Sequence, residues 1–200
     1  GSRYRVAIIG AGVSGIAAAY RLQQAKVEFT VYEKNEEVGG VWWENRYPGC
    51  RLDTPNFAYS LSFAQKPDWP QQFSRQTEIH SYLKTVAESA GMRRNIQFGS
   101  EVDTMVFDEH RAIWTLTVRD RSGEITSEEF NAVVTAVGIL NRPSLPDIPG
   151  LDSFKGKKVH SASWPSNLDL SGKRVALVGT GASAFQIGPS IVGTVSQLKI

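Results

Sequence analysis

A three-layer α/β fold, extended by an antiparallel meander and by the start of a second α/β domain, is the class this sequence predicts. Three observations carry the prediction. A short continuous apolar run at Val6–Ile9 is what a parallel strand buried on both faces looks like, and "AVVTAVG" at Ala132–Gly138 reads as another. A strand–glycine–helix start occurs twice, in "VAIIGAGVSGIAAA" and in "VALVGTGASAFQ". Between the two, from Val102 to Phe130, the apolar period falls to two, as in hairpin-linked strands.

Each element follows in turn. After the first strand, Gly10, Gly12 and Gly15 stand in GxGxxG spacing with Ser14 among them, and Ala17–Ala19 let a helix sit close to the sheet. Val27–Tyr32 is the second strand, ended by Glu33. Thr77–Ala90 reads as an amphipathic helix with a stripe of Ile79, Leu83, Val86 and Ala90; Thr77 is suited to cap it and Gly91 to end it. "VDTMVF", "IWTLTV" and "GEITSEEF" form the meander, and Ala132–Gly138 returns to the parallel sheet. Asn141–Gly150, with Pro143, Pro146 and Pro149, is a stiff linker. The stretch "FKGKKVHSASWP", Phe154–Pro165, then leads into the second strand–glycine–helix start. The expected division is residues 1–142, a linker at 143–170, and the beginning of a second domain at 171–200. Gly1-Ser2 reads as an expression scar, and "VSQLKI" as a strand at the end of an N-terminal fragment.

Composition excludes several functions. With 22 Lys plus Arg against 20 Asp plus Glu the formal net charge is +2, and no basic stripe stands out, so nucleic acid is not expected as a partner. Cys50 is the single cysteine, which excludes an internal disulfide, a CxxC redox pair and a cysteine-based zinc site; no metal is expected. No apolar run approaches the roughly 20 residues that span a bilayer, and no signal peptide opens the chain. A reducing, cytoplasmic location fits.

The first glycine motif gains its meaning from position. It follows a strand, opens a helix, and has an acidic residue at the end of the next strand. Glycines permit a tight turn and a close backbone approach, and the helix N-terminus accepts a pyrophosphate. Glu33 can accept the hydroxyls of an adenosine ribose, and its charge argues against a 2′-phosphate there. The residues alone leave FAD and NAD both open.

"GGVWWENRYPG" with Asp53, "TAVG" (Thr135–Gly138), "GTGASA" (Gly179–Ala184) and the pattern FxGxxxHxxxWP, filled by Phe154, Gly156, His160, Trp164 and Pro165, change that. Together they resemble the class B flavoprotein monooxygenases and, among them, the type I Baeyer–Villiger monooxygenases. "ENRYPGCRLDTPNFAYSLSF" is similar to the 4-hydroxyacetophenone monooxygenase branch. The resemblance implies a Rossmann-like FAD-binding domain followed by the start of an NADP-binding Rossmann domain, with FAD and NADPH as cofactors. Gly10, Gly12, Ser14, Gly15, Glu33, Gly40, Val41, Trp42, Glu44, Asp53, Tyr59 and Val102 would contact FAD. Arg51, Leu52 and Asp53 would lie where the nicotinamide approaches, and Gly179, Thr180, Gly181, Ala182, Ser183 and Ala184 would form the nicotinamide-nucleotide loop. Ala184 stands where GxGxxG has its third glycine, and NADP over NAD follows from the resemblance alone.

The implied chemistry is hydride transfer from NADPH to flavin, uptake of O2, and attack of a peroxyflavin on a ketone to give an ester or lactone. Asp53 and His160 are the implied catalytic positions. Asp53 would hold an arginine that stabilises the peroxide; His160 would position the moving nicotinamide unit, with Phe154 and Trp164 anchoring the linker. Two other readings remain at this point: an N- or S-oxidising flavin monooxygenase, and a non-catalytic FAD-binding unit.

Overall fold

The computed structural model describes residues 4–200, so Gly1 and Ser2 lie outside the described residues. Its contacts divide the chain into two compact units. One runs to Trp43 and resumes at His80–Ile139; the other combines Glu44–Ile79 with Leu140–Ile200. The second unit therefore begins inside the aromatic loop that follows Gly39-Gly40, and the linear boundaries at 142 and 170 do not describe this grouping.

In the first unit, β1 (Arg5–Ile9), α1 (Val13–Gln24) and β2 (Glu28–Glu33) make the expected strand–helix–strand start. α2 (Val41–Glu44) is a single turn. α3 (Gln76–Ser89) precedes β3 (Ile96–Phe98), and β4 (Glu101–Asp108), β5 (Ile113–Arg119) and β6 (Ile125–Phe130) pair antiparallel in sequence order. β7 (Ala132–Thr135) returns to β1, completing a parallel sheet in the order β3-β2-β1-β7. The switch from parallel to antiparallel pairing coincides with the switch in hydrophobic period. Ala7 and Tyr32 from the parallel sheet pack with Leu116, Val118 and Phe130 from the antiparallel one. Tyr32 and Phe130 meet edge to face at 6.1 Å, and the Tyr32 hydroxyl donates to Glu128 at 2.8 Å.

α3 departs from expectation at its start. Thr77 is not the cap; it lies inside the helix. Glu78 instead reaches back to accept the Arg75 N–H at 2.8 Å, the carboxylate half of a capping box. Its buried stripe includes Tyr82 and Ala87 as well as Ile79, Leu83 and Val86, while Ala90 is only half-buried.

The second unit holds β8 (Arg174–Ala176), α4 (Ala182–Ile191) and β9 (Gln197–Lys199), with β8 and β9 parallel. Tyr47, Ile187 and Ile191 form its core, with Cys50, Trp164, Leu170 and Leu177 packed against them. Among the described residues, no helix is long and apolar enough to cross a membrane.

Glu37 gives the first unit a pH dependence. Burial works to raise its pKa, but hydrogen bonds from Arg93, the Val38 N–H and Lys84 outweigh it and hold the carboxyl at about 2, against an ordinary 4.5. A depressed carboxyl contributes its stability in full above the unfolded value and loses it as pH falls toward the folded one. Unfolding free energy should therefore decline between 4.5 and about 2 in part through Glu37. Denaturant titrations of Glu37→Gln across that window should show a shallower decline; an unchanged slope would assign the acid sensitivity elsewhere.

Candidate functional site

Three sequence features that stand apart in the chain converge on the backbone of one buried residue, Ala11. Its N–H donates to Glu33 Oε2 at 2.7 Å, and its carbonyl accepts the Gly39 N–H at 2.9 Å. The glycine loop, the acidic strand end and the double-glycine turn are thus hydrogen-bonded into one body. Glu33 is itself buried, and its other oxygen accepts from the Asn35 backbone and side chain, each at 2.9 Å. Three protein donors leave about one of the four carboxylate lone-pair sites for a further partner.

Steric closeness explains the glycines. A Cβ on Gly10, which sits at φ +101°, would come within 2.7 Å of the Ala136 carbonyl oxygen, and one on Gly15 would overlap the Gly10 carbonyl. Gly12 differs: a Cβ there would meet only the Gly40 backbone, its Cα at an ordinary 3.6 Å and its nitrogen at 3.8 Å. Gly12 is also the N-cap of α1, and no side chain caps that helix. No side chain therefore occupies the first N–H groups of α1, the groups with which a helix N-terminus binds an anion. Ser14 is exposed in that first turn, Trp42 is buried, and Val41 and Val102 are half-buried; Val102 adjoins the β4 irregularity. His80 underlies the double-glycine turn, with its Nε2 3.1 Å from the Val38 carbonyl oxygen and its ring 5.3 Å from Trp43.

The second unit repeats the device. Gly181 caps α4 with no side-chain cap, and a Cβ there would meet nothing within 4 Å. Gly179, Thr180, Gly181 and Ala182 are exposed, and Ser183 and Ala184 half-buried. The Ser183 hydroxyl lies 3.4 Å from that of Tyr47, which in turn donates to Gln186 at 3.0 Å. Burial pushes the Tyr47 phenol up to about 12 and raises the Cys50 thiol as well. Gln186 also binds both backbone groups of Arg51, at 3.1 Å each.

Beyond Arg51, Leu52 is buried, and its N–H donates to Ser74 at 2.8 Å. Asp53 is exposed and Tyr59 half-buried; Glu44 ends α2. Asn56 and Ser74, both buried, bond to each other twice and hold the ends of the loop between them. The His160 Nδ1 accepts the Ala162 N–H at 3.1 Å, capping a short turn at Ser161–Ser163, so the N–H of the neutral ring lies on Nε2. Trp164 packs into the unit's core, but Phe154 is 57% exposed and anchors nothing there; its ring instead lies where a Gly156 side chain would be.

The structure thus joins Glu33, Gly40 and the Gly10–Gly15 loop in one unit, and Ser183 with Arg51 in the other. Gln186 and Asn56 were not singled out from the sequence. Gln186 had a faint signal, being the one long polar side chain in the apolar run "AFQIGPSI".

A family model described as flavin-binding monooxygenase-like matches residues 3–200. A Baeyer–Villiger monooxygenase of Streptomyces coelicolor is 48% identical over 198 residues, covering 98% of this chain and 37% of that protein. Among solved structures, ε-caprolactone-bound cyclohexanone monooxygenase superposes with a TM-score of 0.87 at 34% identity, over 97% of this chain and 38% of the other. The OTEMO complex with FAD and NADP gives 0.85 at 36%, over 96% and 38%. The chain spans less than two-fifths of the length of each of these relatives.

Glu33→Ala would leave the buried Ala11 N–H without an acceptor, at a cost of about 1–3 kcal/mol in unfolding free energy. Glu33→Gln, which retains an oxygen for that donor, should cost less. Thermal and urea unfolding of the two variants check the order; equal losses would show that the Ala11 bond is not what Glu33 contributes.

Proposed function

The chain belongs to the flavin-binding monooxygenase-like family, and from that premise we propose that it forms the FAD-holding part and the start of the NADP-holding part of a type I Baeyer–Villiger monooxygenase. The observation that carries this reading is the Ala11 junction. It holds a glycine loop, an acidic strand end and a double-glycine turn together beside an uncapped helix N-terminus. That combination fits a dinucleotide: the α1 N–H groups suit its pyrophosphate and the remaining Glu33 acceptor site a ribose hydroxyl. We read the architecture as a three-layer Rossmann-like domain carrying the meander, with Gly179–Ala184 opening a second Rossmann domain.

Bound FAD would supply the redox chemistry, taking a hydride from NADPH and delivering electrons to O2. The residues named here do the holding. Gly10, Gly12, Ser14 and Gly15 would bind the FAD pyrophosphate at the α1 N-terminus, with Gly40, Val41, Trp42, Glu44, Tyr59 and Val102 bordering the rest of the cofactor. Gly179–Ala184 would bind NADPH at the α4 N-terminus. Arg51, Leu52 and Asp53 follow one another in a segment fixed by Ser74 and Gln186, so the exposed Asp53 carboxylate is presented from a held backbone. Such a carboxylate suits orientation of a cation near the reacting groups. His160 caps the turn that leads into Trp164 and would keep the linker in one conformation. A small-molecule ketone is the proposed substrate, oxidised to an ester or lactone, in a cytoplasmic protein. Trp164, filling the last aromatic position of the FxGxxxHxxxWP pattern, favours this over N- or S-oxidation.

Two substitutions separate binding from folding. Gly12→Ala places its methyl at an ordinary contact distance, and Gly181→Ala places it in open space, so each should change unfolding free energy by less than about 1 kcal/mol. Both methyls stand beside a helix N-terminus. Flavin titration should show Gly12→Ala weakening FAD by at least about tenfold, or about 1.4 kcal/mol, with NADP+ binding unaffected; Gly181→Ala should do the reverse. Equal cofactor affinities in the variants and the parent chain would overturn the assignment. For the chemistry, the enzyme that contains this chain should convert a ketone to its ester when given NADPH and O2. Oxidation of a sulfide without ketone turnover would favour the alternative.

A further inference from the structure

We propose that Gln186 is a positioning residue that holds Arg51–Asp53 to the helix following the second glycine loop; its consequence for NADP rests on the function proposed above. Cys50, Arg51 and Leu52 run extended through a single isolated β-bridge at Arg51. On one edge, the Gln76 N–H donates to the Cys50 carbonyl at 2.9 Å and the Leu52 N–H to the Ser74 carbonyl at 2.8 Å, bracketing the antiparallel Arg51–Arg75 bridge. Backbone groups of successive strand residues point to opposite edges, so those of Arg51 face away from that pairing. There the Gln186 amide meets them: its oxygen accepts the Arg51 N–H and its NH2 donates to the Arg51 carbonyl, each at 3.1 Å. One side chain thereby substitutes for a neighbouring strand. The amide orientation is fixed, because turning it over would set donor against donor and acceptor against acceptor.

Two further contacts hold Gln186 in place. Its oxygen also accepts the Tyr47 hydroxyl at 3.0 Å, and its backbone carbonyl accepts the Ser190 hydroxyl at 2.7 Å. The loop comes so close to α4 that a Cβ on Gly49 would stand 2.5 Å from the Gln186 carbonyl oxygen. Gln186 lies one helical turn beyond Ala182 on α4, the helix whose N-terminus faces the second nucleotide. A nucleotide that orders this N-terminus therefore orders the Arg51 backbone, and with it the placement of Asp53.

Amide hydrogen exchange on the chain tests this, with and without NADP+. In Gln186→Leu, exchange at Arg51 should rise at least about tenfold, while Ile187 and Ile191 stay protected. Gln186→Glu offers a chemical rescue. Its protonated carboxyl has one acceptor and one donor, as the amide does, whereas its ionised form keeps an acceptor for the Arg51 N–H and turns its other oxygen, an acceptor, on the Arg51 carbonyl. Relative to the parent chain at the same pH, exchange at Arg51 in that variant should lie close to wild type near about pH 4 and rise toward that of Gln186→Leu near about pH 7, as repulsion from the Arg51 carbonyl loosens the pair. NADP+ should slow exchange at Arg51–Asp53 in the parent chain but not in Gln186→Leu. Unchanged Arg51 exchange in both variants, or equal slowing by NADP+ with and without Gln186, would overturn the proposal. If NADP+ alters no amide of Gly181–Ala184 in the parent chain, the nucleotide assignment of that loop fails, and the pH-dependent rescue still decides the role of Gln186.

Discussion

The arrangement of the first unit depends on satisfying the backbone of one buried residue. Ala11 is fully removed from solvent, so its N–H and carbonyl need protein partners. One comes from the end of β2 and the other from the turn after it. Any sequence that puts a glycine loop this deep must bring an acceptor and a donor to the same place. Glu33 and Gly39 do so, and the path of the chain from β2 into α2 follows from that requirement.

Much of this was legible because the local rules are strong. Val6–Ile9 had to be a buried parallel strand, and the period-two stretches had to be a separate antiparallel sheet; Ala132–Thr135 is parallel as expected but not buried, because it forms the edge of its sheet and leaves Val134 and Thr135 exposed. The pairing of Glu33 with the glycine loop was visible as spacing, though not its partner: a carboxylate read as a ribose acceptor already holds three protein donors. The cap of α3 was misread for a physical reason. Thr77 and Glu78 both suit a helix start, and the residue Glu78 caps, Arg75, is the one that also pairs with Arg51 earlier in the chain. That is tertiary information. Phe154 shows the same limit, since an aromatic in a motif says nothing of which surface it meets.

The candidate site of the second unit was the least legible part. Tyr47, Gly49 and Arg51 could be read as a group of special residues, but their common partner is a glutamine more than 130 positions away. Glutamine carries no propensity signal for such a role. Only the side chain's two-sided hydrogen-bonding capacity suits it to replace a strand, and that capacity acts only after the backbone has folded around it.

That separation has a consequence for the order in which the molecule is made. The Ala11–Glu33 bond closes across 22 residues, whereas the Gln186 bonds to Tyr47 and Arg51 close across 139 and 135. Short closures form before long ones, and a chain emerging from the ribosome meets them in that order. The Ala11–Glu33 bond is thus made while the Arg51 edge still has its backbone groups open to any strand that passes. Until residue 186 has been synthesised, that edge is a point of vulnerability to mispairing. A slow passage through the codons for residues 52 to 186 would prolong the exposure, and a binding partner that shields extended backbone would shorten it.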